Sequence, residues 1–463
     1  MTQHDVVILG GGPAGSTAAT LLASRGMDVV VLEKDHFPRF HIGESLLPGT
    51  VTIFERLGVH EQIREAFIHK PGGKWLYGPK EVPGDFAKSD RKATFKDTPY
   101  SYLVERSVFD DILIKRSQQA GADVRFGSEI RSTIVEEDRV VGVTGTDDDG
   151  EPFDIRARLV IDATGLRAFI PAQLGLRTIN QPQRMGIYAQ YEAQAARDDI
   201  DAGWFAGQMF YDGWTWLLKL GDGRFSVGAV MGVDRFRRSK QSPAELLDRL
   251  VGENRLLNCG MSKDRKRVSD VMVTGNMAST SERLSGDGWV SVGDSAFFID
   301  PCYSSGVHLA MKSAEAVADL VADAPKGTPV NASIFEAYEA DMRHHEKSVH
   351  RMVDAFYVAS RNTSVQKMIT KFQGGWLSRK FVTFVGGDFK ENSSFITRIR
   401  LYSKAVARLF GNNRNMDISN HPQYLYQSPK QSEEAPSVPV ADVADVADVA
   451  DVADAVCVEE AAS

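Results

Sequence analysis

The sequence predicts an α/β fold: a Rossmann-type dinucleotide-binding domain, an antiparallel sheet and a helical C-terminal region. Three observations carry that reading. The apolar run Val6-Val7-Ile8-Leu9 leads into Gly10, Gly12 and Gly15, a G-x-G-x-x-G turn ahead of an alanine-rich helix. Residues 183–275 alternate apolar and polar in "RMGIYAQYEA", "GQMFYDGWTWLLKL" and "RFSVGAVM", with turns at Asp212-Gly213 and Asp222-Gly223. Residues 332–411 read as helical, most clearly in "FEAYEADMRHHEKSVHRMVDAFYVAS".

The first strand is apolar at every position, as a parallel strand covered on both faces requires. Gly10 permits the tight turn, Gly12 lets backbone approach a diphosphate, and Gly15 lets the helix pack closely on the strand. Pro13 and Ala14 open that helix, which runs to about Ser24, and its free N–H groups and dipole favour phosphate. A second strand, Val29–Leu32, ends in Glu33, where a carboxylate meets a ribose hydroxyl. Up to this point FAD and NAD fit equally well.

Composition narrows the partners. The 463 residues carry a net charge of −8, so no overall basic surface attracts nucleic acid. The three cysteines, Cys259, Cys302 and Cys457, lack metal-ligand spacing, and their odd number argues against a disulfide framework. No metal is expected, and a reducing, cytoplasmic location fits. The chain starts straight into a strand without a signal-peptide pattern, and no apolar run reaches the ~20 residues of a membrane span. From Gln427 onward an Ala-Asp-Val triplet repeat without aromatics predicts a disordered acidic tail over 427–463.

Four later segments resemble known flavoproteins. "YLVERSVFDDIL" (102–113) resembles the V-x-R-x-x-F-D segment of the p-hydroxybenzoate hydroxylase-like FAD proteins, which implies that Arg106 contacts FAD. "LVIDATG" (159–165) is similar to the strand and turn beside the adenine. In "GWVSVGDSAFFIDPCYSSGVHLAMKSAEAVADLV" (288–321), Gly293-Asp294 resembles the motif whose aspartate binds the ribityl hydroxyls. "FPRFHIGESLLPGTVTIFERLGV" (37–59) resembles the flavin-dependent halogenases, in the branch acting on phenols, pyrroles and carrier-bound aromatics.

That resemblance implies more. A substrate domain at 183–275 would be inserted into an FAD-binding domain made of 1–182 and 276–330, followed by the helical region 331–426. "HKPGGKWLYG" (69–78) is similar to the segment holding the halogenase lysine; Lys70 matches it, with Lys74 second. Ser305 and Gly306 would offer halide-binding N–H groups. Tyr303 stands where tryptophan halogenases carry a glutamate, which points away from free tryptophan. The halogenase W-x-W-x-I-P survives only as Trp214-Thr215-Trp216, followed by Leu217-Leu218-Lys219. Trp214, Trp216 and Tyr303 are expected in the substrate cavity. His41, His69 and His308 read as structural. Phe335, Tyr338, Phe356 and Tyr357 read as core packing rather than cavity lining.

The implied activity is halogenation of an electron-rich aromatic, phenolic or pyrrolic, free or on a carrier protein, in secondary metabolism. It uses FADH2, O2 and chloride or bromide. No second G-x-G-x-x-G follows a strand, so reduced flavin is expected from a separate reductase. Two other reactions suit the same fold: aromatic monooxygenation, and double-bond reduction of the geranylgeranyl reductase type.

Overall fold

A computed structural model describes residues 3–361 apart from 78, 79, 181, 211, 222, 276 and 326, together with 375–389 and positions 366, 397, 399, 401 and 405. The first part of the chain forms β1 (Gln3–Leu9), α1 (Pro13–Ala23), β2 (Val29–Leu32), β3 (Ile68–Lys70), β4 (Gly72–Tyr77) and β5 (Lys80–Asp85). Then come β6 (Ser101–Leu103), α2 (Arg106–Gln119), β7 (Asp123–Arg125) and β8 (Pro152–Asp162). The second sheet is entered through β9 (Arg184–Glu192), β10 (Phe205–Phe210), β11 (Gly213–Gly221) and β12 (Arg224–Gly232). The chain returns in β13 (Trp289–Ser291), α3 (Ser305–Ala322), α4 (Glu336–Ser360) and α5 (Trp376–Val385).

The predicted parallel sheet is present, in the order β13-β8-β1-β2-β7 with every pair parallel. Val6 to Leu9 and Val29 to Leu32 are fully buried because helices cover one face and an antiparallel arm, Glu129–Glu136 and Arg139–Thr146, extends β8 over the other. On the helical side α1 lies between α2 and α3. Gly15 permits this closeness: a Cβ there would sit 1.9 Å from the Gly10 carbonyl oxygen.

The second sheet runs β9-β12-β11-β10-β4-β5, with short strands Lys266–Arg267 and Met272–Thr274 outside β9. Asp212 (φ 60°) and Gly223 (φ 71°) take left-handed turn conformations at the two expected positions. The sheet is wider than the alternation in 183–275 suggested. β4 pairs in parallel with β10 (Phe205 with Gly73, Gln208 with Leu76), and β5 folds back on β4. Period-two alternation then sorts the side chains. Trp75, Phe205, Met209, Trp214, Trp216 and Leu218 face the main core, while Leu76, Ala206, Phe210, Leu217, Phe225 and Val227 face a second core under helices Pro243–Glu253 and Arg255–Gly260.

Of the helical C-terminal region, α4 and α5 fall within the described residues, and the tail 427–463 lies outside them. Among the described residues no helix is long and apolar enough to cross a membrane.

Two glycine substitutions should separate folding from binding. Gly15→Ala drives Cβ into backbone and should cost about 3 kcal/mol of stability or more. A Cβ on Gly12 meets only Arg39 Nη2, at 3.6 Å, so Gly12→Ala should keep the melting temperature of the cofactor-free protein and lose FAD affinity. Denaturant unfolding and flavin titration of both variants check this.

Candidate active site

A groove of about 480 Å3 runs from the glycine turn, along Glu33, to the N-terminus of α3. Gly10, Gly12, Pro13, Ala14, Glu33, Arg106, Asp294 and Gly306 all line it; Gly15 lies beneath, in the helix–strand contact. Glu33 also braces the turn. Its carboxylate accepts from the N–H of Gly11 at 2.6 Å and of Asp35 at 2.9 Å. Arg106, at the start of α2, donates twice to Asp110 (2.7 and 2.9 Å) and once to the Ile42 carbonyl (2.5 Å). It therefore anchors the 39–44 loop along the groove.

The groove contains groups with nothing else to bind. Asp294 makes no hydrogen bond to another described residue, and burial, opposed by Arg106, raises its carboxyl to about 6. Trp214 Nε1 is a buried donor without a partner among the described residues. Helix α3 has no capping side chain, because Ser304 is left-handed (φ 57°), so its first N–H groups stay unclaimed. An unpaired carboxyl suits a polyol, and a glycine-lined helix N-terminus suits a diphosphate. These residues fit FAD.

Two groove residues escaped the sequence reading. Arg39 stands opposite Gly12, where the diphosphate would pass, and also bonds Asp110 at 3.3 Å. Glu44 is buried beside Ser226 and Gln190, and burial raises its carboxyl to about 7. Both lie in the quoted 37–59 segment, as an arginine and an acid in a loop that must cross the groove.

Lys70 ends β3, which pairs with β6 (Lys70 opposite Ser101). The side chain is only 3% exposed. Its Nζ donates to Ser45 Oγ at 2.8 Å and to the Leu46 carbonyl at 2.7 Å, and Ser45 Oγ accepts from Ser304 Oγ at 3.1 Å. Burial pulls its pKa down to about 7. In its neutral form the amine has two N–H groups, both matched by these acceptors, and a lone pair for a ligand. Lys74 differs. It is half-buried and paired with Asp199 at 2.8 Å, on a carboxylate also held by Arg197.

Lys70 lines an apolar cavity of about 740 Å3 between β4, β5, β10, α4 and α5. Tyr303 lines it too, its hydroxyl donating to the Met352 carbonyl at 3.3 Å. Trp214 and Trp216 do not: they wall the groove instead, with Trp216 Nε1 donating to Ser226 Oγ at 3.0 Å. The shared sheet face is turned toward the parallel-sheet unit, and Trp75 and Phe205 cover its cavity end. With leucine at 218, β11 keeps its pairing to β12 through Lys219. Ser304 and Phe205 line both spaces and form the partition between them.

Of the four aromatics assigned to core, Phe356 lines the cavity, because α4 presents it beside Trp75 (4.9 Å between rings). Phe335, Tyr338 and Tyr357 pack inside, with Tyr357 donating to Asp300 at 2.8 Å. Burial holds His308 neutral, at about 3; His41 and His69 lie at the surface, lowered by partial desolvation, with Arg106 adding to the effect at His41, and His69 packs on Tyr100. No group of three or more His, Cys, Asp or Glu among the described residues could hold a metal.

Comparison with known proteins agrees with this geometry. Residues 3–353 match the FAD binding domain family. The chain is 29% identical to the 1H-pyrrole-2-carbonyl-(peptidyl-carrier protein) chlorinase of Pseudomonas fluorescens, over 77% of this chain and 84% of the relative. It is 32% identical to a tryptophan 2-halogenase of Chondromyces crocatus, over 77% of this chain and 68% of the relative. A digeranylgeranylglycerophospholipid reductase of Methanopyrus kandleri is 31% identical, over 73% and 81%. The structure of the myxobacterial chondrochloren halogenase CndH superposes with a TM-score of 0.72 at 27% identity, covering 87% of this chain and 97% of that one. The chain belongs to the FAD-binding-domain flavoproteins, and among them to the flavin-dependent halogenase family.

Asp294→Ala should weaken FAD binding by about 1–3 kcal/mol, read by flavin fluorescence on titration. Lys70 carries a stability signature of its own. Its folded pKa (about 7) lies below the ordinary lysine value of ~10.4, so folding expels a proton between those limits. The resulting penalty grows as pH falls from 10 to 7 and is constant below. Lys70→Met should raise the melting temperature at pH 7, with the gain shrinking toward pH 10; a pH-independent difference would refute a buried, neutralised amine.

Proposed function

We propose that this protein uses reduced FAD, O2 and chloride or bromide to halogenate an electron-rich phenolic or pyrrolic ring, free or carrier-bound, in secondary metabolism. The reduced flavin comes from a separate reductase, and the enzyme works in the reducing cytoplasm. The observation that carries the reading is Lys70: a buried amine hydrogen-bonded to Ser45 and Leu46, in a cavity separated from the FAD groove by Ser304 and Phe205.

Bound in the groove, reduced FAD with O2 would supply the oxidising oxygen that turns halide into hypohalous acid. The other roles belong to the chain. The unclaimed N–H groups of Ser305 and Gly306 hold the halide at the start of α3. Trp214 and Trp216 wall the groove and keep bulk water and substrate off the flavin. Phe205 and Ser304, which line both spaces, mark where the halogen species would cross from groove to cavity. The Lys70 amine then holds hypohalous acid against the substrate. The ring carbon attacks halogen, the oxygen–halogen bond breaks, and the ring proton leaves with the hydroxide as water. An apolar cavity also suits an isoprenoid, and a reductase stands among the relatives. That reaction consumes neither O2 nor halide, so the requirement for both separates the readings.

Lys70→Ala should still consume reduced flavin and O2, releasing peroxide or free hypohalous acid, while halogenated product falls by on the order of 100-fold or more. Lys74→Ala, on a residue engaged with Asp199, should stay within a few-fold of the parent. Mass spectrometry of the product with an oxygen electrode decides. Full product formation by Lys70→Ala, hydroxylated and independent of halide, would replace the halogenase reading with the monooxygenase one.

A further inference from the structure

The cavity says more about its occupant than that the occupant is aromatic. Among the described residues, no carboxylate, guanidinium or imidazole lines it. Lys70 is its lone amine, already donating to Ser45 and Leu46 and held close to neutral. A charged substrate group entering here would lose its water and find, among the described residues, no charged side chain other than Lys70. The remainder of the wall is hydrocarbon and ring, with Val82, Phe86, Met352, Phe356 and Phe381 typical of it. At about 740 Å3 the space exceeds what one phenol or pyrrole fills.

Several polar groups of this wall are already engaged. Tyr303 donates to Met352, Ser304 donates to Ser45, and the Cys302 N–H donates to Asp300. Tyr77, at the end of β4, is 8% exposed, and its hydroxyl has no hydrogen-bond partner among the described residues. It is carried by the same strand pair that places Trp75, so backbone pairing holds it at the cavity wall. That hydroxyl is not one of the enclosed polar atoms left without a partner; it opens on the cavity, where a ligand can bond it.

We propose that Tyr77 is a specificity-determining residue of this cavity, hydrogen-bonding the polar substituent of an uncharged aromatic substrate that carries a bulky apolar extension. The inference rests on the halogenase reading only for the reaction that follows; binding itself does not depend on it. The extension packs along α4 and α5, and the Tyr77 hydroxyl sets which way the ring is turned relative to Lys70. Free amino acids and benzoate-type acids bring a charge that this largely apolar wall solvates poorly.

Binding tests this directly. The FAD-loaded protein is titrated with 4-hexylphenol, hexylbenzene and 4-hexylbenzoate, followed by tryptophan fluorescence, to which Trp75 in the wall contributes. The wild type should bind the phenol about 10-fold tighter than hexylbenzene, the size of one buried hydrogen bond. It should bind the benzoate at least about 100-fold more weakly than the phenol. Tyr77→Phe should keep hexylbenzene affinity and erase the phenol's advantage. An advantage that survives in Tyr77→Phe, or a benzoate bound as tightly as the phenol, would overturn the proposal. Loss of hexylbenzene binding as well would overturn it too, since the ring and not the hydroxyl would then hold the ligand. The wild type is also supplied with 4-hexylphenol, reduced flavin, O2 and bromide. The predicted binding pattern without brominated product would sink the halogenase reading alone; brominated product with an unaltered Tyr77→Phe would sink this one alone.

Discussion

One hydrogen-bonded chain, Lys70 to Ser45 to Ser304, ties the molecule's working parts together. Its members come from three distant stretches of sequence: the end of β3, the loop after β2 and the N-cap of α3. Burying an amine demands acceptors on the spot. Ser45 and the Leu46 carbonyl meet that demand only because the 45–46 backbone is itself pinned to β6, through Leu46 N–H on the Tyr102 carbonyl and the Ser45–Leu103 bridge. The same pinning positions Ser304, and with it the unclaimed N–H groups of α3. Cofactor groove, partition and cavity are therefore held in register by one small knot of polar atoms.

The two lysines in the 69–78 segment show how environment rather than residue type assigns a role. They sit four positions apart, across a break between β3 and β4. Lys70 is surrounded by Phe86, Phe205 and neutral acceptors, and loses its charge preference. Lys74 emerges beside Asp199, in a cluster where Arg197 also contacts Glu81 and Asp199, and holds its partner's carboxyl low. This half-buried ion pair leaves the lysine nothing to offer a substrate.

The sequence made the parts with local grammar legible. A strand, three glycines, a helix and an acid after the next strand announce themselves within 33 residues. Alternation announced β9 to β12, and two aspartate–glycine pairs announced their turns. What stayed hidden was pairing at long range. Nothing in "GGKWLY" says that it will lie parallel to Phe205–Phe210. Without that, the sheet face bearing Trp214 and Trp216 could not be assigned to groove or cavity. Phe356 was hidden for the same reason: helical periodicity identifies an inward face but not whether packing or empty space awaits it. Ser45 and Tyr77 carry no signal beyond their residue type until β3 and β4 are put in place.

The parallel pairing of β4 with β10 has a consequence for how such enzymes diversify. Tyr77 and the strand carrying it, β4, precede the 183–275 stretch by more than a hundred positions, yet β4 completes its sheet. The two units are threaded through one another rather than joined end to end. A graft of 183–275 from a relative would arrive with β10 facing a foreign neighbour, so modular exchange is closed to this architecture. New substrates must instead be reached by point changes along the cavity wall, with the scaffold inherited whole.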